Sequence, residues 1–158
     1  MTQPAPAELV SFEWGRMPAM ADLWVEAWQE TIPEIDFEAR RGWLCHRVGE
    51  LIDEGALFVL AVRAGNPSAL LGFACINPRT GYVDQLVVHP DQWGGGIARD
   101  LVEAAASHTR HPLQLDVNEQ NGRAVRFYEK AGFVVIDHGV NPTSGRPTLK
   151  MERRATPV

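Results

Sequence analysis

Three sets of residues in this chain have types and spacings that suit chemistry. The first is Gly94-Gly95-Gly96, which follows an apolar run ending Leu86-Val87-Val88-His89-Pro90. Glycine has no Cβ, so successive backbone N–H groups can turn inward and converge on an anion. A helix beginning at Ile97 aims its positive dipole end at the same point. Such a backbone suits a phosphate-bearing cofactor, although the triplet alone is equally well read as an ordinary turn. It is not a Walker loop, because no Lys-Ser/Thr follows. It also lacks the Gly-x-Gly-x-x-Gly spacing of a dinucleotide site. The second set is Asn121, Ala124, Phe127 and Tyr128. Asn121 and Tyr128 lie seven apart, near two helical turns, so both project from one face about 10 Å apart. Ala124 keeps that face low between them. Asn121 also suits a helix N-cap, and Tyr128 a half-buried core position. The third is Asp84, two residues before Leu86. Strand alternation puts it on the face of Leu86 and Val88, where it is either a general base or a structural acceptor.

These residues need elements to hold them. Leu9–Glu13 reads as a short first strand after a loose, Pro/Ala-rich start covering residues 1–8. A helix begins near Pro18 and carries Leu23, Trp24, Ala27 and Trp28 at helical spacing to about Glu30. Thr31-Ile32-Pro33-Glu34 breaks it. Phe37 to about Ile52 reads as a second helix, with Gly55 as its C-cap. Ala56–Arg63, Ala69–Ile76 and Tyr82–Val88 read as three strands joined by short turns, an antiparallel meander. Ile97, Leu101, Val102 and Ala105 form one apolar helix face. Pro112–Val117 alternates as a strand, Arg123–Lys130 reads as a helix closed by Gly132, and strands follow at Phe133–Ile136 and Thr148–Met151. The order βααβββαβαββ implies an α/β fold with a mixed, largely antiparallel sheet flanked by helices, in one domain spanning residues 1–158.

At these motifs the chain resembles the GNAT superfamily of acetyl-CoA-dependent N-acetyltransferases. The likeness is strong over Ala56–Phe133 and looser at the ends. The family's loop, Gln/Arg-x-x-Gly-x-Gly/Ala, falls on Trp93-Gly94-Gly95-Gly96-Ile97-Ala98. Trp93 stands in the Gln/Arg position and Gly95 where a basic residue is common, which leaves Arg99 to supply side-chain contacts. The family's Asn-x-x-Ala-x-x-Phe/Leu-Tyr-x-x-x-Gly-Phe falls on Asn121, Ala124, Phe127-Tyr128 and Gly132-Phe133. Both motifs occur in the family's order.

The resemblance implies a fourth strand, bulged and splayed from the fifth, whose Leu86, Val87 and Val88 backbone pairs with the pantetheine arm. One N–H there faces the developing oxyanion. It implies direct attack of a primary amine, on a small molecule or a protein N-terminus, upon acetyl-CoA. Tyr128 then protonates the departing thiolate, which its reference pKa near 10 allows. Asp84 is the candidate base, with His89, His111 and His138 as rivals by residue type alone. Trp14, Trp24, Trp28 and Trp43 read as core or rim residues. The first two helices wall the acceptor pocket in the family, so Trp24, Trp28 and Trp43 are also candidates to line it.

Composition narrows the partners. The 158 residues include 45 % hydrophobic and 22 % charged, with 15 basic against 20 acidic side chains and a net charge of −5. That balance disfavours nucleic acid. No apolar run approaches the length of a membrane span, and the start carries no signal-peptide pattern, which points to a cytoplasmic protein. Cys45 and Cys75 have no metal spacing, so no metal is expected. Family habit allows a homodimer. The alternative function is a non-catalytic acyl-CoA-binding module.

Overall fold

The computed structural model describes residues 7–154. Seven strands and four helices follow the expected order among them: β1 (Ala7–Ser11), α1 (Met17–Thr31), α2 (Arg41–Asp53), β2 (Leu57–Arg63), β3 (Asn66–Ile76), β4 (Val83–Val88), α3 (Ile97–Ser107), β5 (Leu113–Asn118), α4 (Gly122–Lys130), β6 (Val134–Val140) and β7 (Pro147–Arg153). The strands form two antiparallel sheets, ordered β1-β2-β3-β4 and β5-β7-β6. The expected mixed, largely antiparallel sheet is therefore divided between β4 and β5.

The continuous apolar run of β2 is explained by burial on both faces. Phe58 and Leu60 pack with Phe73, Cys75 and Val87 beneath α1 and α2. Val59 and Ala61 point the other way, to Ile97 and Leu101 of α3. Gly72 lets α3 lie close on β3: a Cβ there would sit 2.9 Å from the Val87 carbonyl oxygen and 3.2 Å from Leu101. A third cluster joins Val102 and Ala105 of α3 to Leu113, Leu115, Tyr128, Phe133 and Met151. It closes the second sheet against α3 and α4.

Several boundaries differ from expectation. Of the start expected to be loose, residues 1–6 lie outside the described residues, while Ala7 and Glu8 open β1 and pair with Arg63 and Val62. Arg41, not Phe37, begins α2. Phe37 instead packs edge-on to Trp24 at 5.5 Å and stacks on Trp28 at 5.9 Å, ahead of a short 3-10 turn at Glu38–Arg40. The expected Ala64–Ser68 loop is a two-residue turn, because Gly65 adopts φ +82° and Arg63 already pairs with Asn66. Pro67 fits inside β3 because the register breaks there, so the ladder does not need its missing N–H. β6 ends four residues later than expected. Exposure of its whole length hides the apolar alternation by which strands are recognised.

Candidate active site

The β4–β5 junction begins with one contact. Gln114 N–H donates to the Gly81 carbonyl at 3.0 Å, and Tyr82 and Gln114 form an isolated parallel bridge. Gly81 makes this approach feasible: its φ is +80°, and a Cβ would strike the Pro112 carbonyl. Beyond the bridge no ladder joins β4 to β5 among the described residues. The strands part towards Val88, as the splayed arrangement requires.

The pairing of β4 with β3 determines which backbone groups face this gap. His89 N–H donates to the Leu71 carbonyl at 2.8 Å, and Gly72 is opposite Val88. Hydrogen-bonded and non-hydrogen-bonded pairs alternate in an antiparallel ladder. Val87 and Gln85 therefore turn their N–H and C=O groups to β3, whereas Leu86 and Val88 turn theirs into the gap. Val87, expected beside them, does not face the gap: its side chain packs under α1 and its backbone is already used by β3.

The register also slips by one residue between Cys75 and Ile76, which leaves Asp84 opposite no partner. This is a β-bulge, and it corrects the face expected for Asp84. An extra residue breaks the alternation. Asp84 thus lies on the α2 side, where its carboxylate accepts from Arg47 Nη2 at 3.0 Å. Gln85 reaches its other oxygen at 3.4 Å. Leu86 and Val88 face α3. A cavity of about 170 Å³ opens here, lined by Arg47, Cys75, Tyr82 and Asp84 among others. Tyr82 donates from its hydroxyl to Asp116 of β5 at 2.6 Å across the start of the gap. Burial and then this bond hold the Tyr82 phenol well above its ordinary range. Asp116 was not singled out from the sequence. Its outward position in an alternating strand was visible, but its partner across the gap was not.

At the other end of β4 a 3-10 turn, Pro90–Gln92, leads into the glycines. Gly94 and Gly96 have φ of +82° and +92°, which favours glycine. Gly95 N–H donates to Gln92 O at 3.0 Å, so this amide, expected to meet phosphate, serves the turn. Gly94, Gly96, Ile97, Ala98 and Arg99 have N–H groups with no partner among the described residues, and no side chain caps α3. These five donors at a helix N-terminus fit a diphosphate. The Arg99 side chain is exposed and bonds to none of the described residues.

Asn121 caps α4, accepting from Ala124 N–H at 3.2 Å. Tyr128 is buried between Phe127 and Phe133, each 5.3 Å away. Its hydroxyl makes no hydrogen bond among the described residues. Burial raises its pKa well beyond the usual phenol range, against an opposing pull from the Arg123 charge. A phenol in this state is a proton donor at any physiological pH. His89 is engaged elsewhere, with Nε2 3.1 Å from Glu26 of α1 and Nδ1 accepting from Asp91 N–H. Trp24 is buried, whereas Trp43 and Trp14 are more than half exposed. Arg146, between β6 and β7, bonds to Glu34 at 3.0 Å and Gln120 at 3.2 Å. It ties together three loops distant in sequence.

The sequence model of the acetyltransferase (GNAT) family matches residues 17–133. The chain belongs to this family. It is 35% identical over 100 residues to the peptidyl-lysine N-acetyltransferase YjaB of Escherichia coli, covering 63% of this chain and 64% of that protein. The chain thus spans a little under two thirds of that relative. It is 36% identical over 110 residues to YjaB of Salmonella typhimurium, covering 69% and 71% of the two. Among solved structures, the PaiA N-acetyltransferase of Thermoplasma acidophilum, in complex with coenzyme A, has the same fold. Its TM-score is 0.77 at 20% identity, covering 94% of this chain and 98% of that one. Among the described residues no helix is long and apolar enough to cross a membrane.

Proposed function

We propose that this chain transfers an acetyl group from acetyl-CoA to a primary alkyl amine, with a lysine side chain as the leading acceptor class. The observation that carries the reading is the unladdered gap between β4 and β5. It is edged by the Leu86 backbone groups and the Val88 N–H, which β3 does not use, and ends at five unpaired amides. A pantetheine arm adds to such an edge as a strand would. The amides of Gly94, Gly96, Ile97, Ala98 and Arg99 hold the diphosphate. Asn121, Ala124 and Phe127 of the α4 end form the facing wall.

The amine enters from the α1–α2 face, where Asp84 and Asp116 stand at the gap and favour a cationic group. Asp84, oriented by Arg47, takes the ammonium proton through a water. The neutral nitrogen attacks the thioester carbonyl carbon, and an N–H of the β4 edge stabilises the oxyanion. The C–S bond then breaks, Tyr128 gives its phenolic proton to the thiolate, and the extra proton left on the amide nitrogen passes through water to the Tyr128 phenolate and restores it. Acetyl-CoA supplies the activated acyl carbon; the chain supplies position and two proton sites. That the YjaB relatives are peptidyl-lysine N-acetyltransferases supports a lysine acceptor.

The test is a thermal-shift titration with CoA, followed by an acetyl-transfer screen over amines that reads released thiol. A ligand that binds the native state raises its apparent stability. No shift at millimolar CoA removes the reading. A shift with no turnover on any amine leaves the acyl-CoA-binding module.

A further inference from the structure

The loop that meets the diphosphate has Trp93 at its first position, where the family pattern has Gln or Arg. The indole Nε1–H donates to the Val88 carbonyl at 2.9 Å, on the gap side of β4. This bond ties the ring to the end of β4. On it lies the guanidinium of Arg123, with Cζ 3.5 Å from the ring centroid. Trp93 leaves β4, whereas Arg123 is in the first turn of α4. The stack therefore bridges the two walls.

Three features of Arg123 are unfavourable in the free protein. It is a cation at the positive end of a helix dipole. No carboxylate pairs with it among the described residues. Its side chain is exposed overall, but partial desolvation pulls its pKa down, which opposes the charge. Cation–π attraction to Trp93 offsets part of this, and a bound anion would offset the rest.

We infer that Arg123 is the side-chain ligand of the CoA diphosphate, supplied from α4 in place of the basic residue missing from the loop. Trp93 is its platform. This rests on the acetyl-CoA reading above. It replaces Arg99 as the source of side-chain contacts. The stack holds the guanidinium in place before the ligand arrives, so less rotamer freedom is lost on binding.

The experiment is calorimetric titration of the full chain with CoA, 3′-dephospho-CoA and pantetheine, which carries no phosphate. Arg123→Ala should raise Kd about tenfold or more for the two diphosphate ligands, as expected for a charge-assisted hydrogen bond. Its affinity for pantetheine should match wild type. Loss for CoA alone would move the contact to the 3′-phosphate and overturn the assignment. Trp93→Ala should weaken CoA binding comparably, and the Trp93→Ala/Arg123→Ala double variant little further. Trp93→Phe, which keeps a ring without the N–H, should retain most affinity. Arg126→Ala is the control, because that guanidinium folds back over Gly122 rather than onto Trp93. Equal losses from Arg123→Ala and Arg126→Ala would reduce the effect to net charge and overturn the inference. Wild-type affinity in Arg123→Ala also overturns it while leaving CoA binding intact. Failure of wild type to bind CoA sinks the functional reading instead. Melting curves on each variant separate lost binding from lost fold.

Discussion

At the scale of single residues, Tyr128 carries the sharpest expectation. Its ring packs between Phe127 and Phe133, and its hydroxyl has no hydrogen-bond partner among the described residues. Tyr128→Phe removes the proton and keeps the ring. Turnover should fall about a hundredfold, the scale of general acid catalysis, with Kd for CoA unchanged. A parallel loss of CoA affinity would make the residue a packing element. The pH profile is a second test. Burial raises the phenol, so its acid form persists above pH 10. The alkaline limb of kcat should therefore not begin near the ordinary phenol value, and a fall centred there would assign the acid elsewhere. Tyr128 could be singled out as a candidate because residue type and spacing to Asn121 are sequence properties. The side on which Asp84 lies was not. One bulged residue turns it from α3 to Arg47, and a bulge leaves no mark in a sequence read by alternation. Arg123 was missed for a similar reason: nothing local to it announces a tryptophan thirty positions earlier.

Elements fix where such residues meet, and glycine decides two of those meetings. At Gly81 the chain adopts φ +80° beside the Pro112 carbonyl, and β4 touches β5. A left-handed conformation costs a residue with Cβ about 1–2 kcal/mol before any clash. Gly81→Ala should lower Tm by several degrees. It should also weaken CoA binding, because the seam that sets the width of the gap must shift. Lower Tm with wild-type CoA affinity would separate the seam from the site. Gly96→Glu should weaken CoA binding through like-charge repulsion, and the strain of φ +92° should also lower Tm by a few degrees even though a Cβ there meets open space. Normal binding by that variant would contradict the diphosphate assignment. The order of elements and the apolar face of α3 were readable, because helix period and turn residues are local. The length of β6 and the start of α2 were not. Exposure in one case and the packing of Phe37 on Trp24 and Trp28 in the other are set by the rest of the fold.

Across the whole molecule, two sheets abut at one bridge and are held by three apolar clusters. The sequence announced the splay only through resemblance, since which strands pair is a long-range property. The division has a consequence for stability. Cys75, Tyr82 and Tyr128 each lie in or beside the clusters, and burial raises all three. An acid with its folded pKa raised loses protons more easily in the unfolded chain. Its contribution is fully present below the unfolded value and is lost as pH rises towards the folded one. The unfolded values are about 8.5 for Cys and 10 for Tyr. Urea unfolding should therefore give a free energy unaffected by these groups below about pH 8 and falling steadily above about pH 9. The Tyr82→Phe/Tyr128→Phe double variant should lose less stability over the same interval, because two of the protons that drive unfolding are gone. The comparison between the two proteins isolates these phenols from lysines and surface carboxylates, which both share. Identical slopes from pH 9 to 11 would mean that neither ring is as desolvated as its position between the sheets implies. The same experiment examines the packing that keeps the Tyr128 phenol, the proposed acid, protonated.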